Sequence, residues 1–331
     1  MSQPIDFHLS SVAGTNQHAG AAEEHTVAWL RKHRMLREAQ AVERYLSWRV
    51  AGLAGACWPR SDRAGLYLAS DLLGFFLLFD DQFDGPRGKD PAHVAQICQR
   101  LILIIRGKEP NPRSPVQNAF ADVWQRSVAG MSNSWIFRTA SNFESYFAMH
   151  PHEAMGRSGA ANIDFDTYLQ VRRGTLGMQI CFDMTERIYG YELPGTAYFS
   201  PQVRRMWLLA TDVVAFINDV FSHPKEQERG DAFNFVSVLQ QSQGISQAEA
   251  IAEAQRLVRY KVQRFHEIKD RLPAMCRSLG QSADERACVL DYATALSDWI
   301  VGCHVWHRES RRYQLVIPAS IPGYLEELIP D

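Results

Sequence analysis

The segment Phe79-Asp80-Asp81-Gln82-Phe83-Asp84 places three carboxylates within five residues. Asp80 and Asp84 are four apart and share a helix face, with Asp81 about a hundred degrees round. A second segment, Asn218-Asp219-Val220-Phe221-Ser222-His223-Pro224-Lys225-Glu226, stacks Asn218, Ser222 and Glu226 at i, i+4 and i+8. An amide oxygen, a hydroxyl and a carboxylate are hard donors that suit Mg²⁺ and not zinc. Each segment follows an apolar stretch, residues 72–79 and 206–217, so both helices are expected to be largely buried. Taken singly, the first is as readily a solvated turn and the second a polar surface stripe. Negative charge at a helix C-terminus opposes the macrodipole, however, and three neighbouring carboxylates repel one another, so something cationic is expected to compensate them. Two such faces opposed across a helical bundle would hold a cluster of Mg²⁺ ions. Because Mg²⁺ takes few protein ligands and prefers phosphate oxygens, the implied ligand is a diphosphate.

A diphosphate also needs cationic donors, and fork-shaped guanidinium groups match phosphate oxygens. Arg172 and Arg173 stand in Tyr168-Leu169-Gln170-Val171-Arg172-Arg173-Gly174-Thr175-Leu176-Gly177, where Gly174 and Gly177 are expected to interrupt a helix and turn freed backbone groups inward. Lys225 lies beside Glu226, and Arg312-Tyr313 follows a long C-terminal helical pattern. Pro224 is expected to kink the second helix or to end it just before Glu226.

The elements that must carry these residues are helical. Apolar residues recur at three- and four-residue steps almost throughout, and no sustained alternation of period two occurs. Breaks are expected at Gly85-Pro86 and at residues 107–115, 150–159, 193–201, 223–230 and 279–283. They separate roughly ten or more helices. Ser200-Pro201 reads as a helix start, and Ser246 with Glu249 as a capping box. A single all-α domain is expected, with a division near residues 150–159 as the alternative. The 331 residues carry a formal charge of −2 and no basic run, which excludes a typical nucleic-acid binder. Six scattered cysteines form no CxxC pair, and the N-terminus has no signal-peptide pattern, so a reducing cytoplasm is expected. The longest apolar run, residues 72–79, is too short to span a bilayer. The 8 Trp, 17 Phe and 11 Tyr either fill a core or line a cavity with ring faces.

With these residues in place, the chain resembles the bacterial class I terpene synthases, in particular those of the pentalenene synthase type. Asp80-Asp81-Gln82-Phe83-Asp84 matches the aspartate-rich motif, and Asn218, Ser222 and Glu226 the Asn/Ser/Glu triad. Arg172 falls at the diphosphate-sensing arginine and Arg312-Tyr313 at the C-terminal Arg-Tyr pair, and the likeness runs from His18-Ala19 to Tyr324-Leu325-Glu326-Glu327. The resemblance implies one class I terpenoid synthase domain over residues 1–331, a helical bundle around a central apolar cavity. It implies ionisation and cyclisation of an acyclic prenyl diphosphate with three Mg²⁺ ions, or Mn²⁺ in their place. Asp80 would ligate two ions, Asp81 and Asp84 would place waters or hydrogen bonds, and Asn218, Ser222 and Glu226 would chelate the third. Arg172, Lys225, Arg312 and Tyr313 would hydrogen-bond the departing diphosphate, while Thr175 and Leu176 would form a helix break facing the cation. Ring faces stabilise a cation without attacking it, and Phe76, Phe79 and Trp306 are the expected ones, ahead of Phe75 and Phe221. His307 is expected to be structural. Segments around residues 150–159 and 226–231 and the C-terminal tail would close as lids. Two departures stand out: Leu77 where pentalenene synthases carry a second phenylalanine, and His223-Pro224 inside the triad. Farnesyl diphosphate is the implied substrate, with geranyl and geranylgeranyl diphosphate as alternatives and a monomer or homodimer as the assembly. Two other readings are a chain-lengthening synthase, which would need a second aspartate-rich motif, and a non-catalytic helical protein that binds prenyl diphosphates.

Overall fold

Fifteen α-helices and three short 3₁₀ turns make up the regular structure in a computed structural model that describes residues 5–10, 12–84, 86–109, 111–158 and 164–313. The first helices are α1 (Ala19–Lys32), α2 (Ala39–Ser47), α3 (Val50–Cys57), α4 (Arg63–Asp80), α5 (Pro91–Ile105), α6 (Pro115–Val128) and α7 (Asn133–Arg157). They are followed by α8 (Phe165–Thr175), α9 (Met178–Tyr189), α10 (Gly195–Tyr198), α11 (Pro201–Glu228), α12 (Phe235–Gln243), α13 (Gln247–Lys269), α14 (Leu272–Ser278) and α15 (Ala283–Glu309). The fold is all-α, as expected, and no strand occurs among the described residues.

Local signals set many of the helix starts. Asp62 caps α4 by accepting from the Gly65 amide at 2.7 Å, and Ser200 caps α11 with Pro201 in its first turn. Ser114, Ser246 and Ser282 each form a reciprocal capping box with Gln117, Glu249 and Glu285. Such caps satisfy amides that the helix itself leaves open, at about 1 kcal/mol each.

Two expected breaks are overruled. α7 runs through Pro151 to Arg157, and α11 runs through Pro224 to Glu228. Each proline deletes one backbone hydrogen bond, but a helix packed along its length outlasts that loss: α7 lies against α5, α8 and α9, and α11 against α13, α15 and α8. The expected break at residues 150–159 is therefore helical as far as Arg157. The expected break at residues 193–201 contains the one-turn α10. Gly85, residues 159–163 and the tail from 314 onward lie outside the described residues, and with them residue 159 of the first expected lid segment and most of the C-terminal one.

The core is one contiguous apolar cluster reaching from Phe7 to Trp306. α4 is its central element, with Leu66, Leu72, Phe75, Leu78 and Phe79 wholly buried. Phe75 and Phe79 stack at 5.6 Å between ring centroids and continue into Phe120, Phe143 and Phe147 at 4.9–5.6 Å. Pairs of this kind add about 0.5–1.5 kcal/mol each beyond the area they bury.

The expected interruption near Arg172 falls at Leu176-Gly177 and not at Gly174. Gly174 stays inside α8, where a Cβ would come within 2.4 Å of Met149 Cγ. Gly177 adopts φ +72° and begins α9. A left-handed backbone costs any other residue about 1–2 kcal/mol, so Gly177→Ala is expected to lose that much stability. A denaturant midpoint measured against the wild type checks it, and an unshifted midpoint would mean that the break relaxes.

Candidate active site

One cavity gathers most of the residues singled out from the sequence. Asp80, Asp84, Arg172, Thr175, Leu176, Asn218, Ser222, Lys225, Glu226, Arg312 and Tyr313 all line it, with Phe76 and Leu77 from α4. The arrangement follows from helix geometry. Phe76, Asp80 and Asp84 occupy one i, i+4, i+8 row of α4 and the turn after it, and Asn218, Ser222 and Glu226 occupy the matching row of α11. The last turn of α8 supplies Arg172 and Thr175, and the turn after α15 supplies Arg312 and Tyr313.

The expected compensation of the aspartates comes from the protein itself. Arg312, 4% exposed, forks onto Asp81 with Nη1 at 2.9 Å from Oδ2 and Nη2 at 2.7 Å from Oδ1, while its guanidinium lies over the Trp48 ring. Lys225 Nζ donates to Asp84 Oδ2 at 3.2 Å, and Arg229 donates to the same oxygen. Burial alone would raise the Asp84 carboxyl, yet Lys225 and Arg229 outweigh it and hold it well below the usual range.

Across the cavity, Arg172 Nε donates to Asp219 Oδ1 at 2.9 Å and Nη2 to Asn218 Oδ1 at 2.5 Å. Asp219 is 1% exposed and also accepts from the Tyr168 hydroxyl and, at 2.7 Å, the Phe235 amide. Asn218 Nδ2 donates to the Tyr313 hydroxyl at 2.9 Å and meets His307 Nε2 at 3.0 Å. The other ring nitrogen of His307 lies 2.7 Å from the Cys303 carbonyl, so Nδ1 carries the proton and Nε2 accepts. Burial pushes the His307 imidazole down to about 3, so it is neutral and held at both nitrogens.

Asp80 and Glu226 are left short of positive charge. Asp80 keeps 40% of its side chain open, with Arg312 no nearer than 3.6 Å, and burial raises its carboxyl to about 6. Glu226 accepts from Asn234 Nδ2 at 2.8 Å, and burial, reinforced by Asp219 and Asp231, pushes it up to about 7. Ser222 Oγ lies beside it, 3.4 Å from Asn234 Nδ2. Hard oxygens on two helices, including two carboxylates that burial has disfavoured as anions, fit a divalent cation. Among the described residues no three His, Cys, Asp or Glu side chains converge on one metal position.

Two expected cavity rings stand elsewhere. Phe79 is wholly buried in the aromatic core, because it shares the adjacent helix row with Phe75 and Phe83. Trp306 donates Nε1 to the Trp48 carbonyl at 2.6 Å and packs against His307 and Tyr313 behind the wall. Phe75 and Phe221 are likewise absent from the lining, whereas Tyr146 of α7 and Phe233 belong to it.

Glu153, Arg157 and Asp231 also line the cavity and were not singled out from the sequence. Arg157 donates to Glu153 at 2.5 Å and to the Phe83 carbonyl at 3.2 Å, and pairs with Asp231 at 3.2 Å. Burial would raise Glu153, but Arg157 and Arg172 outweigh it and hold it at about 2. The i, i+4 spacing of Glu153 and Arg157 was the available signal, hidden by the break expected at residues 150–159. Asp219 was signalled by a carboxylate amid an apolar helix, which requires buried partners.

Opposed oxygen faces, buried arginines and an apolar inner wall define a helical enzyme built for metal-assisted departure of a diphosphate. Residues 71–264 match the family described as Terpene synthase family 2, C-terminal metal binding. The chain is 34% identical over 333 residues to a (−)-β-caryophyllene synthase of Saccharothrix espanaensis, covering 99% of this chain and 94% of that one. It is 33% identical over 332 residues to pentalenene synthase of Streptomyces exfoliatus, with 99% and 98% covered. Germacradien-4-ol synthase from Streptomyces citricolor superposes with a TM-score of 0.82 at 37% identity, over 93% of this chain and 99% of that one. This chain belongs to the terpene synthase family, whose matched domain binds metal, and it is a carbon–oxygen lyase acting on phosphates. No helix among the described residues is long and apolar enough to cross a membrane.

Proposed function

We propose that this chain ionises farnesyl diphosphate and cyclises the resulting cation to a sesquiterpene. The observation that carries the reading is the meeting of Asp80 with Asn218, Ser222 and Glu226 around one cavity whose inner wall is Phe76, Leu77, Tyr146 and Leu176. The (−)-β-caryophyllene synthase relative is named for cyclising (2E,6E)-farnesyl diphosphate, which supports the fifteen-carbon substrate. Asp80 on α4 and Asn218, Ser222 and Glu226 on α11 would hold three Mg²⁺ ions, with Asp81 and Asp84 contributing through waters or hydrogen bonds. When bound, the ions supply Lewis-acid assistance to the leaving diphosphate.

The chain's own groups do the rest. Arg172, Lys225, Arg312 and Tyr313 donate hydrogen bonds that strengthen as negative charge gathers on the departing oxygens. Phe76 presents a ring to the cation, worth about 0.5–2 kcal/mol, and Thr175 and Leu176, at the end of α8, would offer backbone to it. His307, neutral and held at both ring nitrogens, positions Asn218. The apolar wall excludes water while the cation lasts. One contiguous core supports treating residues 1–331 as a single domain, and the six unpaired cysteines support a reducing cytoplasm.

Purified protein incubated with Mg²⁺ and geranyl, farnesyl or geranylgeranyl diphosphate, with extracts resolved by gas chromatography, tests the reading. A cyclic fifteen-carbon product from farnesyl diphosphate is expected. No terpene from any of the three overturns it, and a lengthened diphosphate on adding isopentenyl diphosphate shows a chain-lengthening enzyme instead.

Glu226 adds a pH dependence. Its carboxyl, raised from the ordinary 4.5 to about 7, keeps a proton in the metal-free fold that the unfolded chain releases. Metal-free stability is therefore expected to fall as pH rises from about 4.5 to 7. Binding of a divalent cation requires that proton to leave, so apparent Mg²⁺ affinity rises with pH through the same window and levels off above about 7. Melting curves with and without Mg²⁺ at pH 5.5 and 8 check both trends, which Glu226→Gln is expected to flatten.

A further inference from the structure

A second space lies beside the break between α8 and α9. The break is a thin wall. Thr175 and Leu176 line the cavity, whereas Gly174 and Gly177 line this crevice of about 210 Å³. The crevice mouth is marked by Ser145 and Gln170, both exposed, and its floor by Gly177, Ile180 and Thr211, all buried. Thr211 is 1% exposed and its hydroxyl has no hydrogen-bond partner within the protein. A buried hydroxyl left unmade is costly, and water reaching the floor would satisfy it. The volume is ample for several waters, each needing about 10–15 Å³.

Tyr146 is the one residue of α7 that borders both spaces. Its ring, 4% exposed, lies 5.0 Å from that of Phe76, and a Cβ built on Gly177 would sit 3.4 Å from it. The ring thus fills the gap between α4 and the break, with no more than the glycine hydrogen between it and the backbone.

We propose that the crevice holds water and that Tyr146 is the partition keeping it from the carbocation, so that this ring sets how much product leaves as hydrocarbon and how much as alcohol. The inference rests on the cyclase reading above. With the ring in place the terminal cation gives a proton to the released diphosphate, leaving the hydrocarbon. With the ring removed, a crevice water donates a lone pair to the cationic carbon. One carbon–oxygen bond forms, and the oxonium passes a proton to a second crevice water, leaving a neutral cyclic alcohol. No oxidant or reductant is involved.

Turnover of farnesyl diphosphate with Mg²⁺ in H₂¹⁸O, with products separated by gas chromatography and mass spectrometry, tests this. Tyr146→Ala is expected to raise the cyclic-alcohol share several-fold with ¹⁸O in the new hydroxyl, and Tyr146→Phe, which keeps the ring, to hold the wild-type ratio. Adding Thr211→Val to Tyr146→Ala is expected to lower the alcohol share again, because the floor loses its water-binding hydroxyl. If Tyr146→Ala does not fold, judged by circular dichroism, Tyr146→Leu carries the test with a smaller rise. An unchanged alcohol share in the folded variant overturns the proposal, as does a folded variant that makes no terpene, since the ring would then serve turnover itself. Absence of any terpene from the wild type is a different failure and overturns the cyclase reading instead.

Discussion

Replacing Asn218 by alanine is expected to reduce terpene formation by at least about a hundredfold to a thousandfold, the loss seen when one preorganised group at a reacting centre is removed. The effect is large because Asn218 has two roles. Its Oδ1 is a hard donor beside Ser222 and Glu226, and the same amide ties Arg172 of α8 to Tyr313 after α15. Alanine removes the donor and loosens at once the two side chains, Arg172 and Tyr313, proposed to bind the diphosphate. Because Asn218 is only half-buried at the cavity edge, helical circular dichroism is expected to be retained. Asn218→Asp, which keeps an oxygen in place, is expected to recover part of the activity. Unchanged turnover in Asn218→Ala would remove the residue from the metal site.

Arg312→Ala is the second large effect, and it falls on stability as well as turnover. Arg312 and Asp81 are 4% and 1% exposed, joined by two hydrogen bonds. Removing one member of a buried pair strands the other charge, typically at about 3–5 kcal/mol. Asp81 would keep Lys225 at 3.8 Å as a distant partner, which offsets only part of that cost. A urea titration reads the loss directly. The double variant Arg312→Met/Asp81→Asn is expected to regain a good part of the stability without regaining activity, because no unpaired charge remains buried. Equal stability of Arg312→Ala and the wild type would show that the pair contributes nothing to the fold.

Both rows of oxygen donors were legible because a period of 3.6 residues turns spacing into position: Asp80 with Asp84, and Asn218 with Ser222 and Glu226, needed no tertiary information to share a face. The same rule, applied further, would have sorted the phenylalanines. Phe76 continues the Asp80 row and reaches the cavity, whereas Phe79 continues the Phe75 and Phe83 row and enters the core. Trp306 was not accessible to such reasoning, since its fate depends on the Trp48 carbonyl of a segment far away in the chain. The continuation of α7 past Pro151 and of α11 past Pro224 was hidden for a related reason. A proline's cost is local, but the packing that outweighs it comes from α5, α8, α13 and α15. Asp219 and Arg157 have the same character. All of Asp219's partners and two of Arg157's three lie on other elements, and only the fold shows that each organises three of its neighbours.

The pairing of Lys225 and Arg312 with Asp84 and Asp81 has one further consequence. Their positive charge is already spoken for before any ligand arrives, so capture of a diphosphate is a trade of one anionic partner for another. Such a trade yields little in the resting complex and most when the departing oxygens carry their full charge, which directs affinity toward the moment of bond breaking. The same competition runs in reverse at the end of the cycle. The aspartates stand ready to reclaim their cations, and the spent diphosphate is the partner they displace.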